Sequence, residues 1–218
     1  MTKSAFYKKL ETYCATLEGE FDKIPDERKA ALTRLGGYIS TKNKAGEVAQ
    51  LTVICTHNSR RSHFGQAWLA VASTYFGIEA ATFSGGTEAT AFHPNAVASL
   101  QRSGLKINRL DDSSNPIYEM KIGPKYHPSQ MFSKKYDHPT NPQRSFAAIM
   151  VCSEADAGCP FVPGADGRFA MPYFDPKLAD GSASEAQVYD ERCRQMAREM
   201  FFVMWQVVAA NKNGMPTG

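Results

Sequence analysis

The spacing of apolar positions divides the chain into helical and extended stretches. In the first fifty residues Phe6, Leu10, Tyr13, Cys14 and Leu17 recur at helical spacing, and Ala31, Leu32, Leu35 and Tyr38 repeat the pattern after Pro25. Both runs predict helices; Gly36-Gly37 and the polar stretch 41–46 predict the end of the second and a linker. From residue 50 the pattern changes. Residues 51–54 are apolar without alternation, a buried strand leading into Cys55, and 64–76 is apolar on nearly every face, a buried helix stopped by Gly77. A second strand is predicted over 80–84 and a helix over 93–102, closed by Gly104. The stretch 111–144 holds five prolines among polar residues and lysines, which predicts a long solvated surface insertion. Strands are predicted again over 146–151, before Cys152, and over 169–174, before Asp175. A capping box at 182–185 predicts a helix through Ala210, with Tyr189, Cys193, Met196, Met200, Val203 and Val207 inward.

Strands alternating with helices argue an α/β fold with a parallel sheet and crossover connections. The expected organisation is an N-terminal helical extension over 1–49 and a catalytic domain over 50–218 that carries the insertion at about 111–145. Open α/β sheets bind ligands at the carboxyl ends of their strands. Cys55, Cys152 and Asp175 all follow predicted strands, so one crevice can gather all three.

Composition narrows the class. The 218 residues include 25 basic and 22 acidic side chains, a net charge of +3, with 43% apolar residues, as in an ordinary globular protein. No basic run with interleaved aromatics suggests nucleic acid, no apolar run reaches the length of a membrane helix, and the first residues lack the apolar core of a signal peptide. A cytoplasmic protein is expected, with no nucleic-acid or membrane partner. The five cysteines, at 14, 55, 152, 159 and 193, are too sparse and odd in number for a disulfide framework. Cys14 and Cys193 fall on apolar helix stripes and are expected in the core.

The chemistry centres on Cys55-Thr56-His57-Asn58-Ser59-Arg60-Arg61-Ser62, a C-x5-R-S loop between a strand and a helix. Inward backbone N–H groups at a helix N-terminus stabilise a thiolate and bind the oxygens of a tetrahedral oxyanion. Arg61 can grip two of those oxygens bidentately, and Ser62 can donate to the thiolate or cap the helix. A thiolate so placed attacks phosphorus or arsenic in line while the equatorial oxygens are clamped. Thr56, His57, Asn58, Ser59, Arg60 and Ser62 are the candidate oxyanion-binding residues; the Arg60 side chain is expected in solvent and His63 on the helix surface.

With the buried helix after the loop, Phe83-Ser-Gly-Gly-Thr-Glu88 and the late Asp175-Pro176, the chain from about 51 to 210 resembles the low-molecular-weight protein tyrosine phosphatase superfamily. The resemblance implies a four-stranded parallel sheet flanked by helices, with Cys55 as nucleophile, Arg61 as oxyanion clamp and Asp175 as general acid. Cys152-x6-Cys159, upstream of the Asp-Pro, resembles the redox pair of the thioredoxin-coupled arsenate reductase branch, and Lys177-Leu178 stand where phosphatases commonly carry tyrosines. That branch implies reduction of arsenate to arsenite by a relay of Cys55, Cys152 and Cys159, with thioredoxin as reductant and partner and no other cofactor. Zinc on the cysteine pair is the weaker reading, since no second Cys or His pair accompanies it. Some of these reductases bind potassium near the loop; Asn58 stands at a ligand position, but Gln66 replaces the expected glutamate. His57 stands where the family usually has glycine, and Arg60 where it often has a second cysteine. Gly158 and Pro160 disfavour a helix between the two cysteines. The alternative activity is a phosphatase acting on phosphotyrosine or small phosphomonoesters. A third reading is an oxyanion-binding or redox-sensing module without turnover, for which the unusual His57 is the only support.

Overall fold

A computed structural model describes residues 5–158 and 161–213. In chain order the elements are α1 (Lys8–Cys14), α2 (Asp26–Lys44), β1 (Ala49–Cys55), α3 (Arg61–Phe76), β2 (Ala80–Gly86), α4 (Pro94–Arg102), β3 (Lys106–Arg109), β4 (Tyr118–Lys121), β5 (Ser129–Met131), β6 (Phe146–Met150), α5 (Ser153–Gly158), β7 (Ala165–Ala170) and α6 (Glu185–Asn213). Short 3-10 turns lie at Glu18–Lys23 and Pro176–Ala179.

The central sheet has the order β2-β1-β6-β7 and every pair in it is parallel. Leu51, Thr52, Val53 and Ile54 are all buried, because helices cover both faces of the strand. That is why the run shows no polar alternation. The registers bring Cys55 level with Gly86 on one side and Ile54 level with Met150 on the other. The chain therefore leaves β1 and β6 at the same edge, with Cys55 and Cys152 beside each other.

The helices at the N-terminus share the core of the sheet, since Leu10, Leu32, Leu35 and Ile39 are fully buried in the same cluster as Leu51 and Val53. Gly36 does not end α2. It lies where α2 meets α6, and a Cβ there would stand 3.2 Å from the Val203 carbonyl, so the glycine serves close helix packing. The helix runs on to Lys44.

The segment 111–144 is not a solvated loop. β4 and β5 extend β3 into a three-stranded antiparallel sheet, with Tyr118, Met120 and Met131 buried. These strands hold only three or four residues each, too few for an alternation such as that of Tyr118–Lys121 to stand out among the proline-rich turns around them. The last strand is Ala165–Ala170, ahead of the predicted 169–174, because its pairing with β6 begins at Ala165 opposite Phe146 and slips past one residue before Gly167. At the start of α6 the reach-back bond forms one residue early: the Glu185 carboxylate accepts from the Gly181 N–H at 2.6 Å, while the Ser182 hydroxyl lies 3.1 Å from that of Ser184. Residues 153–158 are helical, contrary to expectation. The Cys152 sulfur accepts the Ala155 N–H at 3.4 Å, as a capping side chain would, and the Cys152 carbonyl accepts from Asp156.

Candidate active site

β1 ends at Cys55 and α3 begins at Arg61, so the loop turns within five residues. That turn requires one left-handed residue, and it is Asn58, at φ 44°. Asparagine tolerates this region better than other non-glycine residues. His57 therefore needs no glycine freedom; its ring is half exposed, 3.6 Å from the Glu88 carboxylate, and its carbonyl accepts from the hydroxyls of Thr90 and Ser133. The Asn58 amide group donates to Ser62 Oγ at 2.8 Å, and its oxygen accepts from the Lys134 N–H at 2.9 Å. With a donor already on Ser62 Oγ, the Ser62 hydroxyl hydrogen is free to point at Cys55 Sγ, 3.0 Å away. The first turn of α3 has N–H groups without helical acceptors, and they lie at this end of the loop.

Gly86 lets the end of β2 close against the loop. Thr87 and Glu88 donate backbone N–H groups to the carbonyls of Cys55 and Thr56, at 3.1 and 2.8 Å. A Cβ on Gly86 would come within 2.5 Å of the Thr56 carbonyl oxygen and 2.7 Å of the Asn58 nitrogen. The Gly-Gly of the Phe83–Glu88 motif thus has a steric reason. On the far side Ser59 is buried and its carbonyl accepts from the His93 N–H at 3.0 Å.

Arg61 is buried and its fork has two acceptors. Nη1 donates to the Tyr173 carbonyl at 3.0 Å and Nη2 to Asp175 Oδ2 at 2.6 Å. The other Asp175 oxygen accepts the Lys177 N–H at 3.0 Å and caps the 3-10 turn. The Asp-Pro sequence is therefore both a turn signal and a carboxylate held against the loop arginine. Arg60 is not in solvent: it donates to the Tyr189 hydroxyl at 2.6 Å and to Asp180 at 2.8 Å. The Tyr189 hydroxyl donates in turn to Asp180 at 2.6 Å. These bonds tie the loop to the segment after Asp175, and they replace the water that an exposed arginine would keep.

His63 is likewise not a surface residue. Its ring is fully buried, stacked on Phe92 at 3.9 Å, with Nδ1 3.4 Å from Ser84 Oγ. Burial, reinforced by the charge of Lys134, holds the imidazole well below its ordinary pKa, so it is neutral. Lys134 itself is buried and pushed down to about 8 by desolvation. These groups bear on potassium. The Asn58 oxygen is already on the Lys134 N–H, Gln66 offers an amide rather than a carboxylate, and Lys134 adds positive charge beside His63. Gln66 Oε1 is buried without a hydrogen-bond partner among the described residues, so of these two side-chain oxygens it alone is open to a cation.

Cys152 is fully buried, 3.4 Å from the Thr56 hydroxyl, and burial pushes its thiol up. Cys159 lies outside the described residues. Cys14 and Cys193 are both fully buried; burial pushes the Cys14 thiol up to about 12, and Cys193 accepts the Trp68 indole N–H at 3.2 Å. Both are core thiols. The structure thus gathers Cys55, Ser62, Arg61, Asp175 and Cys152 at one sheet edge. Sequence reasoning missed Tyr173, whose contribution is a backbone carbonyl and leaves no residue-type signal, and missed Asp180, which no local motif marks; it placed Tyr189 inward but gave it no polar role.

No protein-family model matches the chain. In three dimensions it resembles the solution structure of a low molecular weight protein tyrosine phosphatase from Bacillus subtilis, with a TM-score of 0.51 at 13% identity, over 74% of this chain and 99% of the phosphatase. The fold is that of the low-molecular-weight protein tyrosine phosphatases. In sequence it is 26% identical over 141 residues to an arsenate reductase of Bacillus licheniformis, an alignment covering 65% of this chain and 84% of that protein. An arsenate reductase of Brevibacillus brevis is 29% identical over 123 residues, 56% of this chain and 73% of its own. Within the phosphatase fold, the sequence resemblance therefore falls on the arsenate reductases.

Proposed function

We propose that the protein reduces arsenate to arsenite in the cytoplasm through a relay of Cys55, Cys152 and Cys159, recycled by thioredoxin. The observation that carries this reading is the placement of the Cys152 sulfur 3.4 Å from the hydroxyl of Thr56, next to Cys55. Ester hydrolysis needs no second thiol there.

In the first step the Cys55 thiolate forms a sulfur–arsenic bond. The backbone N–H groups over 56–60, Ser62 and the Arg61 fork hold the oxygens, and Asp175 protonates the departing one, which leaves as water. In the second, the Cys152 thiolate attacks Cys55 Sγ. The sulfur–arsenic pair of electrons stays on arsenic, which leaves as arsenite, and the two sulfurs are oxidised to a disulfide. In the third, Cys159 attacks Cys152 Sγ and frees Cys55. Thioredoxin then supplies two electrons and two protons to the Cys152–Cys159 disulfide. Burial of Cys152 favours its thiol form, so the second step waits on deprotonation inside the site.

The test is arsenate-dependent oxidation of thiols with thioredoxin present, run beside hydrolysis of an aryl phosphate. Stoichiometric arsenite formation supports the relay. Aryl phosphate hydrolysis with no arsenate-dependent thiol loss would replace it with the phosphatase reading, for which Cys55, Arg61 and Asp175 suffice. Binding of phosphate with neither activity would leave the oxyanion-binding module.

A further inference from the structure

Arg28 lies on α2, in the N-terminal stretch that the motif resemblance does not reach, and its guanidinium meets both α6 and the segment that leads to Asp175. Nε donates to Glu199 Oε2 at 2.7 Å, Nη2 donates to the Met171 carbonyl at 3.2 Å, and the guanidinium lies 4.3 Å from the centre of the Tyr173 ring. Glu199 is 1% exposed, on α6, and it also accepts from the Tyr173 hydroxyl at 2.7 Å and from Gln195 at 2.9 Å. Burial and the neighbouring Glu199 hold the Tyr173 phenol well above its ordinary pKa, so it stays a donor.

The backbone of 171–173 is thus gripped from two sides. Its N–H groups at Met171 and Tyr173 donate to the carbonyls of Met150 and Val151 at 2.8 and 3.1 Å. Its carbonyls at the same two residues accept from Arg28 and Arg61. Two residues further on, Asp175 meets the other arm of Arg61.

We infer that Arg28 is a positioning residue of the active site: through Met171, Tyr173 and Glu199 it fixes the carbonyl that aims the Arg61 fork, so the N-terminal helices form part of the catalytic unit. A buried ion pair gives little net stability compared with well-packed apolar side chains, but it does hold its partners in one geometry. The planar fork matters, because it serves the Glu199 carboxylate, a carbonyl and an aromatic face together, which a lysine ammonium cannot.

This inference rests on the reading of Cys55 and Arg61 as the oxyanion site, and its test does not require arsenate turnover. Full-length Arg28→Ala, Arg28→Lys and Glu199→Gln are compared with the unmodified protein for thermal midpoint and for protection of Cys55 against iodoacetamide by inorganic phosphate, with Cys55 alkylation followed by peptide mass spectrometry. Arg28→Ala is expected to weaken phosphate protection about tenfold, the loss of one hydrogen bond to a charged group, with Arg28→Lys restoring only part of it. If Arg28→Ala does not fold, Arg28→Lys and Glu199→Gln must show the weakened protection at a retained thermal transition. Folded variants that lower the thermal midpoint but keep unaltered phosphate protection overturn the inference and leave Arg28 a purely structural residue. Absence of phosphate protection in the unmodified protein overturns the oxyanion site itself, and the Arg28 inference with it. Absence of arsenate-dependent thiol loss overturns only the reductase reading.

Discussion

Asp175 occupies the guanidinium that the proposed mechanism assigns to an incoming oxyanion. Its Oδ2 accepts from Arg61 Nη2 at 2.6 Å while Oδ1 accepts from the Lys177 N–H. An asparagine at 175 can keep its oxygen on Lys177, and would then present an NH2 group to Arg61, donor against donor. The contact breaks and Arg61 is released. A hydrogen bond between charged groups contributes ~1.5–3 kcal/mol when buried. The Asp175 side chain is 29% exposed, so water competes and about 1 kcal/mol is the reasonable figure. Asp175→Asn should therefore bind phosphate or arsenate about fivefold more tightly than the unmodified protein. In the proposed mechanism the same change removes the proton for the departing oxygen, and loss of a general acid costs about 10²–10⁴ in rate. Binding and turnover should thus move in opposite directions. Isothermal titration with phosphate and single-turnover loss of thiols with arsenate measure the two. Weaker phosphate binding in a folded Asp175→Asn protein would refute the competition and make the carboxylate a support that orients Arg61.

Cys152→Ser should abolish arsenate turnover after the first attack, and Cys159→Ser should stall with a Cys55–Cys152 disulfide visible by mass spectrometry, while aryl phosphate hydrolysis survives both. Because burial raises the Cys152 thiol, the rate of the second step should climb as pH rises through neutrality, until that thiol is ionised; a pH-independent rate of arsenite release would contradict this. Closing a Cys152–Cys159 disulfide requires Cα atoms roughly 4.4–6.8 Å apart, against about 10 Å for seven residues of helix, so oxidation should unwind α5 and speed amide exchange there. Gly86→Ala should cost more than ~2 kcal/mol of stability and impair Cys55 reactivity, since its Cβ would meet the Glu88 carbonyl oxygen at 2.2 Å; an unchanged thermal midpoint would show that the loop yields.

The sequence alone determined the alternation of helices and strands and the C-x5-R-S loop. It also placed Cys55 and Cys152 at strand ends, and Asp175 beyond a last strand that the structure sets earlier, at Ala165–Ala170, and parallel topology sends every strand's carboxyl end to one edge. These are local signals: apolar periodicity reports which face of an element meets the core, and motif spacing reports a loop closed over five residues. Only the tertiary structure decided the partners of the charged groups. Arg60 finds Tyr189 at a separation of 129 residues and Arg28 finds Glu199 at 171, distances over which no periodicity carries information. His63 shows the same limit from the other side: a polar residue in a helix reads as exposed, but α3 is enclosed and its ring packs on Phe92 from a distant loop. The sheet inside 111–144 escaped for a related reason, since strands of three or four residues are specified by the neighbours they pair with more than by their own sequence.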